Sequence, residues 1–190
     1  VDLAVTLGDR SLQAQAIALG ELVNLLLGRG VDDAELERAL ALEDQDREVP
    51  FQRRPSLLVA LVVVYLGRLD RARELLSALD DRLVARGDEG DRPQVLIFLG
   101  VSAVLGGALD IAGQRSTEAL RIATIAGQEL MCAFALALRA YVQACRGDRG
   151  AARIDGTEAL ERSERLGWLN GVNQSRYSLA FLALSEGTPE

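Results

Sequence analysis

The side chains of this sequence are poorly suited to acid–base catalysis. The 190 residues include no histidine, and all 21 basic residues are arginine, so the commonest general base and any lysine nucleophile are missing. The adjacent pairs Glu37–Arg38 and Asp80–Asp81 fall in helix-like sequence, where neighbouring side chains point about 100° apart. Both pairs are expected to be exposed. We therefore predict a protein that is not an enzyme and that has no metal or cofactor.

The cysteines and the glycine pair offer no other reactive centre. Cys132 and Cys145 are thirteen residues apart on one predicted helix, roughly 19 Å along its axis, so two free thiols are expected. Gly106–Gly107 is expected to form a turn, not a phosphate loop, because Asp110 near the start of the next helix would repel an anion. Function is therefore expected to lie in binding.

Charge and hydropathy restrict the partners. A net charge of −7 argues against contact with nucleic acid. The longest apolar runs begin at Leu57 and Val95, and both are shorter than the roughly 20 residues that a membrane span requires. No signal peptide is recognisable, so a cytoplasmic location without membrane contact is expected. Because the first residue is Val1, not methionine, we expect the chain to be a piece of a longer protein.

Small residues recur every forty positions, in three rows. The first row is Gly67, Gly107, Gly147 and Gly187. The second lies twenty residues later, at Gly87, Gly127 and Gly167. The third is Gly20, Ala60, Gly100, Ala140 and Ala180. Glycine every twenty residues is typical of helices that end in left-handed caps, so each unit is predicted to be a helix pair. Small residues in the first helix, with Ala72, Ala112 and Ala152 early in the second, would allow close crossing.

The spacing predicts nine helices, over about 10–27, 32–46, 55–66, 69–86, 93–106, 109–126, 129–146, 149–166 and 172–186. An alternative interpretation makes the apolar runs after Leu57 and Val95 buried parallel strands. The corresponding part of the next repeat, from Met131 to Gly147, is rich in alanine and leucine and too long for a strand. Equivalent positions in a repeat should share one structure, which favours helices.

The motif G-x-L-D-x-A occurs at Gly67–Ala72 and again at Gly107–Ala112. An E-A-L triplet stands at Glu118–Leu120 and at Glu158–Leu160. These strings resemble the tetratricopeptide consensus, although forty residues exceed its usual ~34. The amino-acid sequence is similar to that of the repeat region of large ATP-dependent LuxR-type transcriptional regulators, the maltose-regulator-like group. No phosphate-loop motif and no basic helix-turn-helix is present.

This resemblance implies an all-α fold, a right-handed superhelix of antiparallel helix pairs of the tetratricopeptide-like solenoid type. One repeat domain would cover residues 1–190, with repeats at about 8–48, 49–88, 89–128 and 129–168 and a partial repeat at 169–187. By resemblance the chain would be the sensor or partner-binding arm of a regulator. Apolar faces at the ends of such a stack are expected to favour self-association.

The resemblance also places a binding groove on the first helices of the repeats, for a small effector or a protein or peptide partner. Carrying its groove positions onto each repeat gives the non-aliphatic candidates Asn24, Arg54, Tyr65, Gln94, Tyr141, Gln174 and Tyr177. They stand beside Leu57, Leu61, Ile97, Val101, Phe134 and Phe181. The rings are also consistent with packing between repeats, and Arg54 with capping a turn. Trp168 is expected to fill the last interface. A repeat scaffold unrelated to transcription is the alternative function.

Overall fold

The computed structural model describes residues 8–47 and 49–187. The regular structure of these residues consists of nine α-helices and one short 3-10 turn, Phe51–Arg53, without a strand. The helices are α1 (Arg10–Leu26), α2 (Asp33–Leu42), α3 (Pro55–Tyr65), α4 (Leu69–Arg86), α5 (Arg92–Leu105), α6 (Leu109–Ile125), α7 (Glu129–Arg146), α8 (Arg149–Arg165) and α9 (Leu169–Ser185). The chain divides into two compact units, Val1–Leu79 and Asp80–Glu190.

The all-helical prediction is confirmed, and the strand alternative is wrong because both apolar runs lie in α3 and α5. Two boundaries differ from the predicted ones. Helix α2 ends at Leu42, because Glu43 leaves the helical conformation and its carboxylate accepts hydrogen bonds from the amide and hydroxyl of Ser56, both at 3.0 Å. Helix α9 begins at Leu169, so Gly171 lies inside the helix and not before it.

Glycines in the left-handed conformation end the helices, as the twenty-residue spacing predicts. All seven glycines of the first two rows have φ between +66° and +80°. At Gly147 the glycine amide donates to the carbonyl of Ala144 and the next amide, of Asp148, donates to the carbonyl of Gln143. This pair of bonds is the Schellman arrangement, which satisfies carbonyl groups that a helix end leaves free. The chain therefore reverses at fixed intervals.

In the unit Val1–Leu79, helices α1, α2 and α3 pack on one another. The buried carboxylate of Glu21 on α1 accepts a 2.7 Å hydrogen bond from the amide of Asp32, which precedes α2. Arg68 pairs with Asp33, and Arg71 pairs with Glu37 at 3.0 Å. Helix α3, which includes the fully buried Leu57, is buried on nearly all sides and supplies more of the core than any other helix of this unit.

In the unit Asp80–Glu190, each of the helices α5 to α9 packs on the next, and α7 also contacts α5 and α9. The small-residue row marks where these helices approach. A Cβ atom on Gly100 of α5 would lie 3.6 Å from the carbonyl oxygen of Ala112 on α6. One on Gly156 of α8 would lie 3.6 Å from Cβ of Ala140 on α7. Ala60, Gly100 and Ala140 are buried, whereas Gly20 and Ala180, at the ends of the row, are not.

Candidate functional site

Six aromatic rings form a row of two contacting groups, with three rings in each, on the helices α5, α7 and α9 and on the residue before α9. We call this row the aromatic face, and its members are Phe98, Phe134, Tyr141, Trp168, Tyr177 and Phe181. Phe98 and Trp168 both meet Phe134 edge-on, with ring centroids at 5.7 and 5.4 Å. Tyr141 stacks on Tyr177 at 5.6 Å and contacts Phe181 at 5.2 Å. These distances are in the range where aromatic pairs attract each other beyond simple burial.

Helical spacing and the forty-residue register together produce the row. On α7, Phe134 and Tyr141 are seven residues apart and therefore share one side of the helix. On α9, Tyr177 and Phe181 are four residues apart and do the same. Tyr141 and Phe181 occupy the same position of successive repeats, so the contact of α7 with α9 brings their rings together. The spacing of the aromatic residues in the sequence therefore places their rings side by side on neighbouring helices.

The aromatic face is only partly covered. Phe98 is buried, Phe134, Tyr141, Trp168 and Phe181 are half-buried, and Tyr177 is 63% exposed. Burial of the Tyr141 phenol, together with the neighbouring Cys145 and Tyr177, raises the pKa of Tyr141 to about 12. This phenol therefore stays protonated further into the alkaline range than an ordinary tyrosine. A surface of rings with neutral hydrogen-bonding tips suits an uncharged or amphipathic ligand.

Two predicted amide side chains accompany these rings. Gln174 precedes Tyr177 by three residues on α9, and Gln94 precedes Phe98 by four on α5, so each shares a helix side with a member of the row. Both amides are half-buried. Tyr141, Gln174 and Tyr177 are thus brought to one region, and Gln94 extends it along α5.

The other predicted site residues belong to the unit Val1–Leu79. Asn24 donates a 3.2 Å hydrogen bond to Glu21. Arg54 precedes α3 and donates to the carbonyls of Gln45 and Arg47, at 3.4 and 3.5 Å, so it ties down a turn. Tyr65 is exposed at the end of α3.

The aliphatic groove candidates divide between core and partly open positions. Leu57 and Ile97 are fully buried, so these side chains belong to the core and not to an open groove. Leu61 and Val101 are half-buried.

Trp168 fills a junction, as its position in the repeat predicts. Besides meeting Phe134, its ring covers Gly171, where an added Cβ atom would lie only 1.9 Å from Cε3 of the indole. The absence of a side chain at Gly171 is therefore what allows Trp168 to lie against α9.

A polar groove on the opposite side of α7 is a feature that the sequence reasoning missed. It has a volume of about 660 Å³ and lies between α6 and α7. Its lining is Asp110, Gly113, Gln114, Thr117, Glu118, Arg139, Val142, Gln143 and Arg146. The recurrence of polar residues at 139, 143 and 146, which share one side of α7, is the signal that could have found it.

The cations of this groove are already occupied by protein acceptors. Arg139 makes two hydrogen bonds to the buried carboxylate of Asp155, at 2.6 and 2.8 Å, and the bond to Asp155 raises the pKa of Arg139. Arg146 donates to the carbonyl of Leu109 at 2.9 Å and to Asp110 at 2.5 Å. The groove therefore offers neutral amide and hydroxyl groups more than free positive charge.

One expectation about charged residues is wrong. Asp80 is buried, not exposed, because it accepts a 2.9 Å hydrogen bond from Arg92. Arg115 lies 3.9 Å from its other oxygen. Two guanidinium groups compensate the buried carboxylate, so its role is structural.

Cys132 and Cys145 both lie on α7 as free thiols. Within residues 8–47 and 49–187, no cluster of three or more cysteine, aspartate or glutamate side chains is placed to hold a metal ion. No helix in this described part combines the length and the apolar character needed to cross a bilayer. Neither a protein-family model nor a curated protein sequence matches this chain.

Proposed function

We propose that this chain is a non-catalytic regulatory repeat domain that binds an effector molecule or a partner protein on its aromatic face. In this proposal the helices form antiparallel pairs in a right-handed tetratricopeptide-like superhelix, and the first helix of each pair lines the concave side. The parent protein would be a cytoplasmic LuxR-type transcriptional regulator, in which other domains bind nucleotide and DNA.

The observation that carries the proposal is the partly open row of rings that α5, α7 and α9 hold together. Buried aromatic residues need no ligand, but Tyr177 exposes most of its ring while stacking on Tyr141. The amides of Gln94 and Gln174 flank the rings and supply donors and acceptors. Apolar area combined with a few polar groups is the usual composition of a ligand site.

Occupancy of this face would be transmitted mechanically. Each repeat contacts only its neighbours, so a small rotation between α7 and α9 would add to rotations elsewhere in the stack. A ligand that prefers one spacing of the rings shifts the population toward that spacing. A scaffold that binds peptides without a link to transcription would use the same face, and the flanking sequence of the parent gene distinguishes these two roles.

Calorimetric titration with a library of uncharged metabolites and of apolar and amphipathic peptides tests the proposal. At least one compound should bind saturably, and Tyr141→Ala or Gln174→Ala should weaken it at least tenfold. Ile125→Ala serves as the control, because this apolar side chain is 76% exposed and lies on α6, which carries none of the six rings. Absence of any binder, or binding that is unchanged by both test substitutions, contradicts the proposal.

A further inference from the structure

Helix α9 carries an uncharged stripe that is exposed in the described structure. Its members are Leu169, Asn173, Tyr177, Ala180 and Leu184, which recur at helical spacing along one side. All five are exposed, and the large apolar members Leu169 and Leu184 are 78% and 66% exposed. We call this set the α9 stripe. Exposed large apolar side chains that recur along one side of a helix favour an interaction surface.

The repeat register shows what this side of a first helix does elsewhere in the same unit. Forty residues before Tyr177, Ala180 and Leu184 stand Ala137, Ala140 and Ala144 on α7, and all three are at most 5% exposed. Forty residues earlier again, Ile97 and Gly100 on α5 are also buried. At these positions the helical side is therefore closed in α5 and α7 and open in α9, whereas the position of Leu169 is exposed on α7 too, as Glu129.

The helix that follows closes it together with the next first helix, since Leu182 of α9 also packs on Ala144 and Leu138 of α7 also lies against Gly100. Ala137 packs with Ala159 of α8 in one apolar cluster, and Ala144 packs with Ala152 of α8 in another. Gly100 of α5 meets Ala112 of α6 in the corresponding way. In both cases the covering helix presents alanines seven residues apart, Ala112 and Ala119 or Ala152 and Ala159, which allow the two backbones to approach closely.

We propose that the α9 stripe is the docking site of a further amphipathic α-helix that carries small residues seven positions apart. The stripe continues, by one repeat, the interface that α6 forms on α5 and that α8 forms on α7. The proposal does not rest on the aromatic face being a ligand site. Tyr177 belongs to both surfaces, whereas Ala180 and Leu184 belong to the stripe alone.

Charge complementarity restricts the docking helix further. On α7, Glu129 binds Arg162 of α8 at 2.8 Å, but the equivalent of Glu129 on α9 is Leu169. A helix on the stripe therefore has an apolar residue where α8 has Arg162. Helix α6 meets this requirement, since Ile122 stands at the corresponding position. The partner is thus a helix of the α6 type, with an uncharged inner side.

A fluorescently labelled peptide with the sequence of residues 109–125 is the appropriate probe. Added to the full chain, it should give a saturable rise in anisotropy and a gain of helical circular dichroism. Ala180→Arg should weaken binding at least tenfold, because the long cationic side chain occupies the line of approach. Ile154→Arg is the matched control, since Ile154 is 68% exposed on α8 outside the stripe, and binding should be unchanged.

Three results would overturn the inference. The first is no saturable binding of the peptide to the unsubstituted chain. The second is equal affinity of the peptide for the unsubstituted chain and for the Ala180→Arg variant. The third is a sedimentation experiment in which the unsubstituted chain is a dimer and Ala180→Arg makes it monomeric, since a second copy would then cover the stripe. Loss of effector binding in Tyr141→Ala, with peptide binding intact, would separate this surface from the aromatic face.

Discussion

The buried carboxylates of Asp80 and Asp155 each pair with an arginine, and the spacing of residues in the sequence does not identify which arginine it is. Arg139 and Asp155 lie on different helices, and Asp155 is only 5% exposed. Which carboxylate an arginine will meet depends on how two helices cross, and a sequence with 21 arginines offers many equivalent choices. For the same reason Asp80 was expected on the surface, whereas its partner Arg92 keeps it inside.

We expect Arg139→Met to lower the free energy of unfolding by about 3–5 kcal/mol, because it leaves the Asp155 carboxylate buried without a partner. The double variant Arg139→Met with Asp155→Leu should recover most of that loss. Denaturant unfolding followed by circular dichroism measures both. Arg121→Met, which breaks an exposed pair with Glu118, should cost less than about 1 kcal/mol. Equal costs for the two single variants would contradict this assignment.

The Tyr141 phenol makes a prediction about alkaline pH. Its pKa of about 12 in the folded chain exceeds the value of about 10 for a free phenol, so folding favours the protonated form. The stabilisation of the folded state by the protonated phenol is fully present below about pH 10 and is lost as the pH rises toward 12. An ultraviolet titration of phenolate formation should lose its step near pH 12 in Tyr141→Phe. If Tyr141→Phe instead removes a step near pH 10, the Tyr141 phenol is not buried from water.

At the scale of elements, helix ends were the most predictable feature. Their signal is local, since a left-handed residue at the end of a helix requires glycine whatever the rest of the fold does. The end of α2 and the start of α9 differ from prediction because they depend on distant partners, the carboxylate of Glu43 with Ser56 and the ring of Trp168 over Gly171. Local signals place the helices, and tertiary contacts adjust their boundaries.

Gly147→Ala isolates the backbone contribution of one such end. The glycine has φ of +80° and an added Cβ atom would meet nothing within 4 Å, so the cost comes from conformation alone. We expect a loss of about 1–2 kcal/mol in the free energy of unfolding. Gly150→Ala, three residues later in the first turn of α8, also has open space but a helical backbone, and it should cause no loss. Identical effects at the two positions would be inconsistent with the cap.

Gly171→Ala tests the packing of the single tryptophan, Trp168, against Gly171. The new methyl group would overlap the Trp168 ring, which must leave its contact with Phe134. We expect a red shift of the tryptophan emission and a loss of about 1–3 kcal/mol, as for other overpacked sites. Gly150→Ala should leave the emission unchanged. An unshifted spectrum in Gly171→Ala would mean that the indole does not lie on this glycine.

At the scale of the whole molecule, the forty-residue register fixed the order of helices but only part of the candidate site. Tyr141 and Phe181 contact each other because the register repeats an aromatic residue on the same helical side, and Tyr177, one turn before Phe181, stacks on Tyr141 as well. Leu57 and Ile97 lie instead in the core, since burial depends on which neighbours cover a position. The polar groove between α6 and α7 was missed because its residues come from two helices of different repeats.

The central claim is that the aromatic face on α5, α7 and α9 is a binding surface. Hydrogen–deuterium exchange on the full chain, with and without the tightest compound from the calorimetric screen, tests it most directly. The account predicts slowed exchange in α5, α7 and α9, centred on the segments around Phe134, Tyr141 and Tyr177. Protection confined to α6 and α8 would contradict it, because the ligand would then occupy the opposite side of the repeats.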